Sequence, residues 1–581
     1  DQTCAAEKRR RRKKGEMADP PARLYINHHV CEGRGDCGVQ SNCGAVLPLE
    51  TPLGRKRKID QSSCNKDYSC AKGFCPSFVG ITGGKPRKKS GALVAGRGDF
   101  EARVAGLPLP APHEWTGPYD LLVTGVGGTG VVTVGAVIAM AAHLEGKSAS
   151  VLDFMGFAQK GGSVLSFVRW ADRPERLNQV RIDTQQADAI LACDLVVGAS
   201  PEALGTVRRG RTKILANTHE VPVAEALKNP DASLKVDRLL DKLEFAAGAD
   251  AVETFDAQTL AEDFLGDTIV ANILALGYAW QRGLVPVSLQ ALTRAIELNN
   301  VAVPTNLLAF SLGRLAAADP KACDELLGAP AEAAQPRTLD ALIARATEHL
   351  TGWQDAAWAA RYRATVERVR KAESALAGGD STLPVTRAVA QSLRKLMSYK
   401  DEYEVARLYT DGRFRADLAA HFDGDLTLEF YMAPPLVSRA KDGQAPKKLR
   451  FGPWLLPALG WLAKGRRLRG TALDLFGRTE ERRMERELIT HHNKQRKFRA
   501  QQARVAELVP LLTPANQALA AQIAALPLTM RGFGHVKIGN VALARAREAE
   551  LLHRLDPQRW PKPPASGGAG QIRGIAVVAS P

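Results

Sequence analysis

Short apolar runs alternate with longer amphipathic stretches through the middle of the chain. Residues 119–124, 149–154, 191–198 and 214–216 read as strands, and a helical stretch at 132–144 lies between the first two. This alternation predicts an α/β unit with a mostly parallel, doubly wound, Rossmann-like sheet. Helical periodicity takes over near Leu260, is clear at 268–276 and continues with breaks to about Gly378. These helices are expected to close the sheet, giving a domain at 118–380. A mixed pattern follows, with strand-like residues at 426–431 and a charged helical stretch at 479–505, and it predicts a separate, mostly helical α+β domain at 381–560. A Gly-, Pro- and Lys-rich linker at 83–117 and a Pro/Gly-rich tail at 561–581 carry no predicted element.

Upstream of the linker the apolar pattern gives way to cysteine. Six of the nine cysteines fall between positions 31 and 75, a local group unlike the even scatter of a disulfide-stapled secreted domain. They read Cys31-Glu-Gly-Arg34-Gly-Asp-Cys37-Gly-Val-Gln-Ser-Asn-Cys43 and Cys64-Asn-Lys-Asp-Tyr-Ser-Cys70-Ala-Lys-Gly-Phe-Cys75-Pro76. Soft thiolates at short spacing, with small residues between them, let a loop wrap an inorganic cluster while backbone amides point at its sulfurs. Residues 23–82 are therefore expected to form a ferredoxin-like iron–sulfur segment, with Cys31, Cys37, Cys43, Cys64, Cys70 and Cys75 as metal ligands. Bacterial ferredoxins place cysteines at C-x2-C-x2-C, and Arg34 stands where the middle thiolate of such a run would be. Zinc is the competing metal, although only Cys70-x4-Cys75 approaches a zinc knuckle. Uncoordinated buried thiols are the bland reading, and it holds for the isolated Cys4, Cys193 and Cys323.

A glycine-rich turn, Gly125-Val-Gly127-Gly128-Thr129-Gly130, follows the first strand of the α/β unit and opens its helix. Glycines there let the backbone approach a phosphate, and free amides at the helix start attract its charge. The same glycines could instead serve strand–helix packing alone. Asp153, at the end of the next predicted strand, stands where a Rossmann fold holds a ribose hydroxyl. A second loop containing Gln159, Lys160, Gly161 and Gly162 could bring a cation to the same crevice or be an ordinary turn.

The net charge of +17 raises the question of nucleic acid as partner. The excess sits in short runs at 8–14, 55–58, 86–89 and 466–469 without interleaved aromatics, so solvated loops or domain contacts are expected and nucleic acid is not. No stretch approaches the ~20 apolar residues that span a bilayer, and the basic start lacks a following apolar segment. A cytoplasmic protein is expected. HExxH, GxSxG and P-loop motifs do not occur. Gly266-Asp267 with Asn299-Asn300 imitates a thiamine diphosphate motif, but Thr268 replaces its second glycine and its surroundings look helical. His535, flanked by Gly534 and near Lys537, is the most suggestive of the eleven histidines and is read as structural.

Taken together, the run at 7–12, the stretch 59–66, Gly73-Phe-Cys75-Pro-Ser-Phe78, Gly125–Thr133 with 157–162, Lys400-Asp-Glu-Tyr403 and Met530-Arg-Gly-Phe-Gly-His-Val536 resemble the fused indolepyruvate:ferredoxin oxidoreductases over nearly the whole chain. The resemblance implies oxidative decarboxylation of an aryl pyruvate to an acyl-CoA, with electrons leaving through [4Fe–4S] clusters to ferredoxin. It implies that residues 1–22 end a preceding thiamine-binding domain and that this chain is the carboxy-terminal half, carrying the iron–sulfur segment and the γ-type domain. Thiamine diphosphate and magnesium would belong to an amino-terminal half, without which the chain is not expected to turn over substrate. Coenzyme A would be a co-substrate near the γ domain, and the complete enzyme a homo-oligomer. Arg34 departs from the family's Cys-Glu-Gly-Cys-Gly-Asp-Cys, so a three-iron, differently ligated or missing cluster is implied there. The rival reading is an iron–sulfur carrier that binds nucleic acid through its basic runs.

Overall fold

The structure, a computed structural model, describes residues 3, 5–34, 36–87, 97–114, 117–155, 162–219, 236–327, 338–376, 382–434, 448–489 and 501–562. A six-stranded sheet occupies the middle of the chain, in the order β11-β10-β9-β6-β8-β7. β6 (Tyr119–Val126), β9 (Ala189–Ala192), β10 (Lys213–Asn217) and β11 (Val252–Phe255) run parallel. β8 (Ser163–Ala171) lies antiparallel to both β6 and β7 (Ser148–Met155). Helices cover both faces of β6 and all eight of its residues are buried, which is why its sequence is mostly apolar, with Asp120 and Thr124 as its polar members.

The sheet departs from the sequence expectation at three places. The run 191–198 is part strand and part helix: β9 ends at Ala192, and Asp194 caps the helix Leu195–Gly198 by accepting the Val197 N–H at 2.9 Å. A short apolar run without a period fits either element. β8 was not expected, because Arg169 breaks its apolar character. That guanidinium, 2% exposed, is held by Asp120 of β6 through Nε–Oδ1 at 2.6 Å and Nη2–Oδ2 at 3.2 Å, so a buried ion pair secures the strand. β11 was also unassigned.

The helices Ala271–Gln281 and Val303–Ala318 pack backbone to backbone over the sheet. A Cβ on Gly277 would come within 2.0 Å of the Phe310 carbonyl oxygen, and one on Gly313 within 1.9 Å of that of Leu274. Gly266, read above as part of a thiamine-motif imitation, closes the helix Ala257–Leu265 with φ +68°, and Asp267 caps the next turn.

The helices Leu339–Trp353 and Ala356–Ser374 do not close the sheet domain as expected. Leu350, Trp353, Tyr362 and Val366 share a core with Val389 and Leu393 of the helix Pro384–Met397. The buried Glu373 carboxylate accepts the amides of Val385 at 2.9 Å and Thr386 at 2.7 Å, which ties the two parts together. The break between cores thus falls between 327 and 339 instead of near 380.

The cysteine segment joins this distal part. β1 (Arg23–Ile26) and β4 (Phe78–Thr82) pair antiparallel, and β13 (Thr427–Met432) and β14 (Leu449–Phe451) extend them into one sheet, β1-β4-β13-β14. β2 (Val46–Leu49) and β3 (Lys56–Ile59) form a hairpin, and Lys85–Pro86 (β5) pairs with Phe422–Asp423 (β12). The core beneath holds Ile26, Cys31, Phe78 and Val79 together with Tyr409, Phe414 and Phe430. The segment expected at 23–82 therefore shares its interior with residues more than 300 positions away.

Gly313→Ala should lower stability by about 1–3 kcal/mol, the usual cost of overpacking, since neither helix can retreat without losing its own contacts. Thermal unfolding followed by circular dichroism would show it, and an unchanged midpoint would mean that the helices are not in backbone contact.

Candidate functional site

The two cysteine turns repeat each other. After β1, Cys31 is followed by Gly33, whose φ of +76° returns its amide to the Cys31 sulfur at 3.3 Å. Cys64 is followed by Lys66, whose φ of +51° returns its amide to the Cys64 sulfur at 3.4 Å. Cys37 then begins the short helix Cys37–Ser41, and Cys70 lies in the equivalent helix Ser69–Lys72. The two short helices pack so closely that a Cβ on Gly73 would meet the Cys37 Cα at 2.8 Å. Arg34 and Asp67 hold the same place in the two turns, and the spacing Cys64-x2-Asp67-x2-Cys70 shows this in the sequence, although only Arg34 was singled out. The Asp67 carboxylate accepts the Ser69 amide at 3.1 Å and hydroxyl at 2.9 Å.

The last cysteine of each turn crosses to the other. Cys75 reaches back to hydrogen-bond Cys31, and Cys43 lies within electrostatic reach of Cys64 and Cys70. The result is two groups of three thiols: Cys31, Cys37 and Cys75, all buried, and Cys43, Cys64 and Cys70, of which only Cys70 is fully buried. The Cys75 thiol pulls Cys31 down to about 6 against the effect of burial, with help from Lys56. Burial pushes Cys37 up to about 12 and raises Cys70 and Cys75 as well, so most of these thiols become ligands only against a metal's positive charge.

Their spacing bears on which metal fits. Zinc with Zn–S near 2.3 Å sets its sulfurs roughly 3.8 Å apart. Among the described residues no three thiols approach within 4.8 Å of one another. Cys31 and Cys75 lie at hydrogen-bonding distance, and an amide aimed at one sulfur in each turn suits a thiolate ligand.

Cations surround the first group. The Lys400 amine donates to the Val30 and Cys31 carbonyls at 3.0 and 2.9 Å and pairs with Glu32 at 2.8 Å. Lys448 donates to the Ala71 carbonyl at 3.1 Å and lies over the Phe78 ring. Lys56 and Arg57 of β3 are buried, so the basic run at 55–58 is not a solvated loop. Lys56 and Arg57 lie inward on a strand, while Arg55 pairs with Glu50 and Lys58 reaches Glu262 of the sheet domain at 2.9 Å. In the run at 466–469, Arg469 is likewise buried and grips Asp401 with two hydrogen bonds of 2.6 and 2.8 Å.

His28, His29 and Asp417 form a cluster that sequence reading missed. His29 Nε2 and His28 Nδ1 lie 3.0 and 3.5 Å from one Asp417 oxygen, and burial, then the neighbouring His29, pushes His28 down to about 4. The histidine pair is visible in the sequence, but Asp417 arrives from the distal helix Arg413–His421. The exposed His535 ring lies 5.2 Å from that of Phe74 at a tilt of 58°.

In the sheet domain, Gly128 and Gly130 adopt φ of +84° and +92° and lead into the helix Val131–Leu144. The Gly127 amide is taken by the Gly162 carbonyl at 2.8 Å. Among the described residues those of Gly128, Gly130, Val131 and Val132 have no acceptor. Gly125 serves packing, since a Cβ there would meet Val131 at 2.5 Å. Gln159, Lys160 and Gly161 lie outside the described residues. Asp153 does not take the ribose-binding place expected of it. β8 intervenes between its strand and β6, which moves it about 10 Å from the turn's strand at 4.7–4.9 Å per neighbour.

Residues 120–316 match the family profile of pyruvate ferredoxin/flavodoxin oxidoreductase. The gamma subunit of an NADH-dependent phenylglyoxylate dehydrogenase from Aromatoleum evansii is 31% identical over 179 residues, which is 31% of this chain and 82% of that subunit. The chain belongs to the pyruvate ferredoxin/flavodoxin oxidoreductase family. An indolepyruvate oxidoreductase subunit IorB from Pyrococcus horikoshii is 28% identical, covering 34% of this chain and 96% of the subunit. A solved keto/oxoacid ferredoxin oxidoreductase gamma subunit from Geobacter sulfurreducens is 26% identical over 35% of this chain and 97% of its own, with a TM-score of 0.25. The chain is thus a component of an oxidoreductase of this family. Residues 339–550 match a family of unknown function, and neither profile extends over Cys31–Cys75.

Lys400→Met should cost about 3–5 kcal/mol by leaving Glu32 without its partner in a nearly dry site. Adding Glu32→Gln should recover most of that loss. A double-mutant cycle by denaturant unfolding measures the coupling, and additive effects would show that the pair does not secure the first cysteine turn.

Proposed function

We propose that this chain is the electron-exit and γ component of an enzyme that converts aryl pyruvates to acyl-CoA and reduces ferredoxin. The observation that carries the reading is the repeat of two cysteine turns with crossed last cysteines, on the same chain as a γ-family sheet. One cluster would be held by Cys31, Cys37 and Cys75 and the other by Cys43, Cys64 and Cys70, the crossing that two-cluster ferredoxins use. Each bound cluster would accept and release single electrons. Asp67 offers its group an oxygen at the position left open, whereas Arg34 offers none, which favours a three-iron centre there.

The chain's own residues prepare these places. The Gly33 and Lys66 amides stabilise negative charge on sulfur, and Lys56, Lys400 and Lys448 offset the cost of burying it. In the sheet domain, the open amides from Gly128 to Val132, with Gln159, Lys160, Gly161 and Gly162, are suited to the anionic end of coenzyme A. Thiamine diphosphate and magnesium would be held elsewhere in the enzyme, which in this reading is a cytoplasmic homo-oligomer. In this reading residues 23–82 with 402–463 form the cluster-bearing unit, 118–327 the γ domain and 339–399 with 480–560 the distal helical domain. Among the described residues no helix is long and apolar enough to cross a membrane.

The nucleic-acid reading is weaker because the basic runs are used internally. Arg9 and Arg12 of the helix Ala5–Lys13 donate to the Ser63 and Asn65 carbonyls, and Lys56, Arg57 and Arg469 are buried.

The chain purified without oxygen should contain about six to eight irons with matching acid-labile sulfide, the content of two clusters of three or four irons. Cys37→Ala and Cys70→Ala should each remove about half of it, and low-temperature EPR should show different signals surviving in the two variants. Zinc without sulfide would overturn the reading.

A further inference from the structure

A partly open cavity of about 340 Å³ lies where the cysteine segment meets the distal helices, and neither the thiol groups nor the glycine turn uses it. Nine Lys or Arg residues and four Glu line it. All four carboxylates are already committed: Glu32 to Lys400, Glu50 to Arg55, Glu404 to Arg407 and Glu485 to Arg482 and Lys537. The lining is therefore left with a large excess of positive charge.

Several of these cations are satisfied by the fold and others are not. Lys395 donates to three carbonyls, those of Pro527, Leu528 and Met530, at 3.1, 3.3 and 2.8 Å. Lys56, only 8% exposed, makes no side-chain hydrogen bond or ion pair among the described residues, and the same is true of the Arg394 and His349 side chains. Burial, then the neighbouring Lys400, pushes the Lys56 amine down to about 7. A buried cation left without a partner is costly, and three unpartnered donors converging on one cavity suit an anion.

We infer that this cavity binds a phosphate-bearing small molecule, its phosphoryl oxygens held by Lys56, Arg394 and His349. A carboxylate brings one charge, whereas a phosphate brings between one and two with three acceptor oxygens, which a guanidinium fork, an amine and an imidazole match together. The volume lies at the lower end of the ~300–1,000 Å³ found for small-molecule sites. Leu342, Leu396 and Met530 supply an apolar wall for an organic remainder. Because Lys400 lines the cavity and also holds the Cys31 carbonyl, the site adjoins the first thiol group.

The test is calorimetric titration of the full chain with orthophosphate, ADP, coenzyme A and acetate, alongside thermal unfolding with each. Saturable binding is expected for at least one phosphate-bearing probe and not for acetate. It should weaken at least tenfold in both Lys56→Met and Arg394→Met, which separates this cavity from the glycine turn. Orthophosphate binding as tightly as the larger probes would identify the free anion as the occupant, and tighter ADP or coenzyme A binding would identify a nucleotide. Without ligand, Arg394→Met should unfold at a higher temperature than the wild type and lose the ligand-induced shift, a pairing that damage to the fold would not produce. If Lys56→Met does not fold, Arg394→Gln with phosphorus NMR of bound orthophosphate or ADP gives the same reading. The inference fails if none of the phosphate-bearing probes binds, if acetate binds equally, or if the variants bind as the wild type does.

Discussion

The cysteine segment cannot close a core of its own, and much of the architecture follows from that. A domain of about 60 residues is only marginally stable, and small domains often add disulfides, metals or partners. Here the missing interior comes from the same chain. Tyr409, Phe414 and Phe430 fill the space beneath β1 and β4, the Tyr409 hydroxyl donates to the Pro76 carbonyl at 2.7 Å, and the Asn27 amide group donates to that of Leu408 at 3.3 Å. The cysteine turns are thus positioned by residues that have no part in ligation.

Charge is used in the same economical way. A protein of net charge +17 would be expected to carry its excess in water, yet Arg169, Lys56, Arg57, Lys400 and Arg469 are largely withdrawn from it. Some are neutralised pairwise, as Arg169 is by Asp120 and Arg469 by Asp401, whose guanidinium also lies 3.7 Å above the Trp353 ring. Others stand near thiols. In a dry interior such charges act over distances at which surface charges would be screened, so the cations around Cys31 contribute to its acidity although none touches its sulfur.

The sequence revealed local features well and distant ones poorly. The strand–helix alternation at 119–144 was legible because burial on both faces leaves a mostly apolar run and the glycine turn marks its end. The paired cysteine turns were legible because each is set by a few neighbouring residues. β8 was hidden by Arg169, whose place depends on an aspartate 49 positions earlier. The link between β4 and β13 joins residues more than 340 positions apart and leaves no periodic trace. The boundary near 380 was misplaced for a related reason: helical periodicity shows that a face is buried but not which core it enters. For the basic run at 55–58 the domain-contact reading holds at Lys58, which pairs with Glu262, while the burial of Lys56 and Arg57 depends on partners that composition does not show.

The pairing of β4 with β13 also orders events during synthesis. The γ-family domain is inserted between two parts of one sheet, so it can fold while the sheet that frames the cysteines is still unfinished. At ~5–20 residues per second, the roughly 370 residues from β4 to β14 take about 20–70 s to emerge. Throughout that interval the six thiols are on a nascent chain whose covering residues do not yet exist. Once Phe430 docks, Cys31, Cys37, Cys70 and Cys75 are buried while Cys43 and Cys64 stay partly exposed. The insertion sets an order of assembly as well as a shape.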